Sequence, residues 1–124
     1  MDLKEYFENT KGFGVLATAG AGGQVNAAVY ARPHYMEDGL LAFITKDRTT
    51  HANIQANPNA TYLFKEEGPE YKGKRLYLTK VKEEDDAELI ESLRRRSYLS
   101  DKNSGELSFL VYFKVDKERP LIGD

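Results

Sequence analysis

The segment 43–58 combines hydroxyls, cations and a helical pattern in an arrangement suited to binding phosphate. An apolar strand pattern ends there and a short helix begins, and the first-turn amides of a helix lack intrahelical partners. The helix dipole adds partial positive charge at the same end, so both effects favour an anion. Lys46 and Arg48 add full charges. Thr49 and Thr50 add hydroxyl donors, and the segment therefore predicts a phosphate-binding site.

A purely structural interpretation of the same segment stays open. Asp47 or Thr49 has the side-chain type of a helix N-cap, and Pro58 ends the helical pattern because the residue before a proline avoids the α region.

The glycine-rich stretch 19–23 does not predict a nucleotide-binding loop. It lacks the GxGxxG order of a nucleotide-binding loop and no helical pattern follows it, so it predicts a hairpin turn.

Composition narrows the class of protein. A chain of 124 residues predicts one domain, spanning residues 1–124. The 18 Lys and Arg against 20 Asp and Glu give a formal charge of −2, which argues against a domain built to neutralise nucleic acid. The absence of cysteine excludes disulfides, thiolate metal sites and cysteine nucleophiles. No apolar run reaches membrane-spanning length and the start of the chain is charged, so we expect a soluble, cytoplasmic protein that binds no membrane.

Hydrophobic periodicity predicts a mainly β chain with short helices at its margins. Six strands joined by short turns are typical of a compact antiparallel barrel or half-open barrel. The run 94–96 is all arginine, and its charge is explained by the dipole at the C-terminus of a helix, with no binding partner required. The charged tail 117–124 is expected to lie loose or against a second subunit. The predicted helices cover about 2–9, 48–56 and 83–97, and the predicted strands cover 14–18, 24–30, 40–44, 60–64, 74–82 and 105–115.

The order of these parts resembles the split-barrel family that binds flavin mononucleotide (FMN), which includes pyridoxamine 5′-phosphate oxidases and small FMN-binding proteins. The resemblance covers about residues 10–115. Its pieces are Gly14-Val15-Leu16-Ala17-Thr18, a glycine-rich turn, the run from Val25 to Pro33, Leu41-Ala42-Phe43-Ile44-Thr45, Arg48-Thr49-Thr50-His51-Ala52-Asn53-Ile54 and Asn57-Pro58.

The resemblance implies a six-stranded antiparallel split β-barrel and a homodimer with FMN at the subunit interface. Thr45 stands where the family contacts the flavin, whereas Thr49, Thr50 and His51 stand where oxidases often carry Ser, Arg and Lys. Arg32, Lys46 and Arg48 are candidates to replace the missing charge. Arg32 is favoured, because a guanidinium at the end of the second strand could bind a phosphate with two parallel hydrogen bonds. Exposed strand backbone at 28–31 and near Ile44 is a candidate to bind the flavin ring. The cofactor-binding candidates are Ala28, Val29, Tyr30, Arg32, Ile44, Thr45, Lys46, Arg48, Thr49 and Thr50.

The function implied is that of an FMN-dependent oxidoreductase of unknown substrate, served by a small-molecule or nicotinamide electron donor. Oxidation of pyridoxamine phosphate is not expected, since the end of the chain, 115–124, lacks the Arg and His pair that those oxidases use on substrate. A non-catalytic electron carrier or flavin store is the first alternative. Haem binding through His34 or His51 is a second, and a cofactor-free barrel that binds nucleic acid or protein is a third.

Overall fold

A computed structural model of the chain describes residues 2–94 and 107–123. These residues form three helices and seven strands. In chain order the elements are α1 (Leu3–Asn9), β1 (Gly12–Ala19), β2 (Val25–Val29), β3 (His34–Tyr35), β4 (Leu41–Lys46), α2 (Thr49–Ala56), β5 (Asn59–Glu66), β6 (Gly73–Glu84), α3 (Ala87–Leu93) and β7 (Ser108–Pro120).

The seven strands form one sheet in the order β2-β1-β5-β6-β7-β4-β3, and all neighbours are antiparallel. The mainly β class with flanking helices is confirmed, but the expectation of a six-stranded barrel is wrong. Among the described residues the sheet has seven strands and is not closed, since β2 and β3 form its two edges. The additional strand, β3, has only two residues and follows Pro33, so no alternation of apolar and polar residues announces it.

The junction between β6 and α3 lies later in the chain than the sequence-based expectation placed it. The third helix begins at Ala87 and not at Glu83, because β6 continues through Glu84. Asp86 caps α3 by accepting hydrogen bonds from the amides of Glu88 and Leu89, at 3.1 and 3.2 Å. The acidic run before α3 therefore belongs to the end of a strand and a cap. The expected end of this helix at 97, and two of the three arginines of the run 94–96, lie outside the described residues.

The expectation of a loose tail is wrong up to Pro120. Strand β7 pairs with β6 along its whole second half, with Arg119 opposite Arg75 and Pro120 opposite Lys74. The Arg75 side chain also donates to the Pro120 carbonyl at 2.9 Å. Charged residues are common on a half-exposed strand, so the charge of this segment did not reveal its pairing.

The main hydrophobic core lies on the face of the sheet that α1 and α2 cover. Its fully buried aromatic residues include Phe7, Phe43, Tyr62 and Phe64. A second, smaller cluster lies between α3 and the opposite face of β4 and β7. Strand β4 is therefore buried on both faces, as its continuous apolar run predicted. The second cluster contains Ala42, Ile90, Leu110 and Tyr112.

A close contact between Gly14 and Tyr62 positions the chain that follows β2. A Cβ atom at Gly14 would lie 1.9 Å from the Tyr62 hydroxyl, so only glycine admits the ring here. The hydroxyl donates to the carbonyls of Tyr30 and Ala31, at 3.0 and 3.2 Å. The end of β2 is thereby fixed over the core, next to α2.

Candidate functional site

Helix α2 begins without a side-chain cap. Its N-cap residue is Arg48, which makes no capping hydrogen bond, and its first turn contains no acidic residue. The other two helices are capped by the carboxylates of Asp2 and Asp86. The alternative in which Asp47 or Thr49 caps α2 is therefore wrong. The first-turn amides of α2 keep their capacity to donate to an anion.

Thr45 contributes a buried hydroxyl without a partner. It is 1% exposed, and within residues 2–94 and 107–123 its Oγ1 is the one buried side-chain nitrogen or oxygen atom that lacks a hydrogen bond. The residue lies near the end of β4, opposite Phe109 of β7, just before the turn into α2. Leaving a buried hydroxyl unsatisfied costs about 1–3 kcal/mol, so this atom indicates a partner from outside the chain.

Tyr30, Arg48 and Thr50 come together at the start of α2. The Thr50 hydroxyl is buried, accepts a hydrogen bond from Asn26 Nδ2 at 3.3 Å and is hydrogen-bonded to Tyr30. Burial raises the pKa of Tyr30, and the Thr50 hydrogen bond and the Arg48 charge only partly oppose this effect. Tyr30 is therefore a neutral phenol beside a guanidinium, and its hydroxyl can donate to a ligand.

His51 ties the first turn of α2 to the sheet. Its ring stacks on Phe109 with a centroid distance of 3.9 Å and an interplanar angle of 4°. Its Nε2 lies 3.2 and 3.1 Å from the two carboxylate oxygens of Glu83 on β6. Gln55, one turn further along α2, and Lys80 also bind Glu83. We call His51, Gln55, Lys80 and Glu83 the Glu83 cluster.

The Glu83 cluster predicts an acid-sensitive contribution to stability. Burial alone would raise the pKa of Glu83, but the hydrogen bonds from Lys80, His51 and Gln55 outweigh it, so its pKa lies below the usual value of 4.5. A group with a lowered pKa stabilises the fold above its unfolded-state pKa and loses this contribution as the pH falls through its folded-state pKa. We therefore expect Glu83→Gln to lower the melting temperature at pH 7, with the difference from wild type shrinking below pH 4.5. A pH-independent difference in thermal melts would contradict this.

Two of the predicted site residues have side chains elsewhere. Arg32 donates from Nη1 to the carbonyls of Phe7 and Thr10, at 2.8 and 3.1 Å, so its guanidinium lies at the C-terminal end of α1. A cation is favourable there because it satisfies the last carbonyls and opposes the helix dipole. Ile44 packs into the second cluster, against α3. Their proposed contacts with a cofactor stay predictions, and for Ile44 only the backbone is placed for them.

The remaining predicted residues lie along the two strands that approach α2. Ala28 is half-buried and Val29 is 55% exposed on β2, which is an edge strand and leaves one row of backbone groups unpaired within the described sheet. Lys46 is half-buried opposite Ser108 of β7, and Thr49 is exposed at the first position of α2.

Three residues of this region were missed in the sequence. Asn26 shares a strand face with Ala28 and Tyr30, so its polar side chain in a row of inward positions was a usable signal. Glu83 was assigned to a helix and Phe109 to the last strand, and neither residue type signals contact with His51. Their proximity arises from strand pairing across the sheet.

An apolar surface covers the other side of β1, β2 and β5. The register places Val29, Val15 and Leu63 in one row across these strands, and cross-strand partners point to the same face. Val25 and Val29 are 80% and 55% exposed, and Leu63 is 39% exposed. A cavity of about 400 Å³ opens on this surface. We call the set Phe13, Val15, Ala17, Ala19, Val25, Ala27, Val29, Thr61 and Leu63 the outer face.

Comparison with solved structures places this fold among known ones. An FMN-binding protein from Syntrophomonas wolfei has a TM-score of 0.77 at 16% identity, with 98% of this chain and 85% of that chain covered. HupZ from Group A Streptococcus has a TM-score of 0.68 at 18% identity, covering 96% and 90%. General Stress Protein 26 from Bacillus anthracis has a TM-score of 0.66 at 18% identity, covering 97% and 94%. At these identities the likeness shows the fold alone.

Sequence comparison gives the family. No curated protein matches the chain significantly. None of the described helices is long and apolar enough to span a bilayer. Residues 3–116 match the family model described as Pyridoxamine 5'-phosphate oxidase, which accounts for nearly the whole chain. This chain therefore belongs to the pyridoxamine 5'-phosphate oxidase family.

Proposed function

We propose that this protein is an FMN-binding oxidoreductase that holds the phosphate of the cofactor at the start of α2. The observation that carries the proposal is the buried, unpartnered hydroxyl of Thr45, immediately before a helix whose first turn has no side-chain cap. Family membership and the fold shared with an FMN-binding protein support the choice of ligand. The donor set is also suitable, since amides, hydroxyls and cations are what a phosphate needs.

The residues that would hold FMN divide into two groups. Lys46, Arg48 and the first-turn amides of α2 would bind the phosphate, with Thr49 and the Tyr30 phenol as further donors. Thr45 and the unpaired backbone edge of β2 at Ala28 and Val29 would bind the flavin. Thr50 and His51 stand where oxidases often carry Arg and Lys, and both are already hydrogen-bonded within the chain. The full positive charges at the phosphate would come from Arg48 and Lys46.

When bound, the flavin supplies electron or hydride transfer, and the protein supplies position and electrostatics. The neutral Tyr30 phenol and the Arg48 guanidinium would stabilise negative charge on the ligand. No dedicated acid or base of the chain is needed for that role. The electron donor is proposed to be a nicotinamide or another small molecule.

We further propose that two copies of the chain pair through the outer face and that FMN lies at their interface. Val25 and Val29 are more than half exposed on an edge strand, beside Phe13, which is 57% exposed. Contiguous exposed apolar side chains of this kind mark association surfaces. A second copy is the occupant that fits, because an isologous interface requires one self-complementary patch. The 400 Å³ cavity on this face would leave room between the subunits for part of a ligand.

Replacing Thr45 with valine is expected to change stability and FMN affinity in opposite directions. Without FMN, Thr45→Val is expected to raise stability by about 1 kcal/mol, because it removes a buried unpaired hydroxyl while keeping the side-chain shape. FMN affinity is expected to fall about two- to tenfold, because a donor to the cofactor is lost. Thermal melts and fluorescence titrations with FMN check both. Ser108→Ala on the neighbouring strand, half-buried opposite Lys46, is the control.

The visible spectrum and the mass in solution test the proposal as a whole. A yellow dimer, or a colourless dimer that gains a flavin spectrum and thermal stability on addition of FMN, is expected. A protein that gains neither would overturn the proposal. Reduction by NADH or NADPH followed by turnover with an acceptor separates an oxidoreductase from an electron carrier or flavin store.

The alternative of haem binding would need a histidine nitrogen as axial ligand. The Nε2 atom of His51 could take that role only after losing its contact with Glu83.

A further inference from the structure

His51 lies between two carboxylates whose charge lies close to the proposed phosphate-binding site. His51 is the third residue of α2, and two carboxylates flank its ring. Its Nδ1 lies 3.7 Å from Asp47 Oδ1 in the turn before the helix, and its Nε2 lies 3.1 Å from Glu83 Oε2 on β6. Both carboxylates are therefore next to the first turn of α2, where the phosphate is proposed to bind.

The groups around the His51 ring determine the charge next to the first turn of α2. Glu83 of β6 contacts the ring, and its other carboxylate oxygen pairs with Lys80 at 2.7 Å. The neutral amide of Gln55 and the apolar ring of Phe109 contribute no charge. Asp47, Glu83 and Lys80 together carry one net negative charge.

We propose that His51, Asp47 and Glu83 determine how strongly this protein prefers a flavin that carries a phosphate over one that does not. This inference rests on the proposed function, in which the phosphate lies at the start of α2. The two carboxylates weaken the binding of an anion, and the His51 ring holds both of them beside the first turn of α2. They are specificity-determining residues, since they act on the ligand through charge.

The size of the effect follows from Coulomb's law. For an illustrative separation of about 9 Å between a unit charge and an anion, and an effective dielectric constant of about 40 to 80, Coulomb's law gives a change in anion affinity of about two- to fivefold. Salt screens part of this change, so low ionic strength reveals it best. A riboflavin ring has no phosphate and should not respond. The ratio of the riboflavin to the FMN dissociation constant is therefore the quantity to measure.

The experiment compares this ratio in wild type, Asp47→Asn and Glu83→Gln by fluorescence titration at pH 7.5 and low salt. We expect each variant to raise the ratio about two- to fivefold. Asp47 is exposed, with 63% of its side chain accessible, so Asp47→Asn keeps the test available if Glu83→Gln fails to fold. Asp38→Asn is a matched control, because it makes the same change of charge at the other end of β4. Asp38 lies in the turn before β4, whereas Asp47 lies in the turn after it. Glu84→Gln is a second, because Glu84 binds Tyr112 instead.

A salt series separates charge from a structural effect. The rise of the ratio in Asp47→Asn and Glu83→Gln should shrink as the ionic strength increases from about 0.01 M to about 1 M, because salt screens charges. A rise that does not change with salt would overturn the inference.

The outcomes also separate this inference from the proposed function. If wild type binds both flavins and the ratio stays within experimental error in Asp47→Asn and Glu83→Gln, the inference fails and the proposed function stands. If wild type binds neither flavin, both fail together. If the controls Asp38→Asn and Glu84→Gln raise the ratio as much as the two test variants, the effect is one of total charge and the inference is overturned.

Discussion

Replacing Arg48 with alanine is expected to weaken FMN binding about 10- to 100-fold while changing riboflavin binding less than twofold. A hydrogen bond to a charged group contributes about 1.5–3 kcal/mol, and only FMN carries the phosphate that would accept it. Arg48 is the N-cap of α2 and its side chain makes no capping hydrogen bond, so its replacement removes no cap from the helix. Fluorescence titrations with both flavins measure the two affinities.

Arg32→Ala is the matched control for this prediction. Arg32 donates to the carbonyls of Phe7 and Thr10, so its replacement should lower the melting temperature by releasing the end of α1. The ratio of the two flavin affinities should stay unchanged. A selective loss of FMN binding in Arg32→Ala, with none in Arg48→Ala, would assign the phosphate contact to Arg32.

Introducing a charge at Val29 is expected to separate the proposed dimer. Val29 is exposed on the edge strand β2, at the end of the row that Val15 and Leu63 continue, so Val29→Asp would bury an unpaired carboxylate between two copies. Burying such a group costs several kcal/mol per subunit, and a two-fold interface contains it twice. We expect a monomer at micromolar concentration by light scattering, with FMN affinity at least tenfold weaker because the cofactor loses contacts from the second subunit.

Val81→Asp provides the control for the dimer. Val81 is 51% exposed, close to the 55% of Val29, but it lies in an irregularity of β6, beyond the pairing with β5. The same change in charge and side-chain type should leave the dimer and the FMN affinity as they are. Dissociation by both variants to the same extent would place the interface elsewhere or attribute the effect to net charge.

The elements that could be predicted are those with a local signal. The apolar run of β4 predicted a strand buried on both faces, and the alternation in β6 and β7 predicted strands there, because side chains point to opposite faces in turn. Helix α2 was expected at 48–56 and spans Thr49–Ala56. Its end could be predicted because Pro58 follows it, and the residue before a proline avoids the α region. The ordered motifs pointed to the family that residues 3–116 match.

The elements that could not be predicted depend on pairing between distant residues. The charge of Glu118 and Arg119 suggested a free tail, but β6 supplies the partner strand that orders them. The sequence alone placed Glu83 in a helix, whereas its hydrogen bonds to His51 and Lys80 arise only when β6 runs beside α2. Arg32 looked available for phosphate because nothing near it in sequence identifies Phe7 and Thr10 as partners.

Taken by itself, the sequence determined where most of the strands and helices lie, and which residue types occur at the turn from β4 into α2. Only the tertiary structure decided that the sheet stays open, that Thr45 keeps an unpaired hydroxyl, and that His51 lies between two carboxylates. The physical reason is that periodicity and capping act over a few neighbouring residues. Register, burial and the surroundings of a charge depend on which distant strands come into contact.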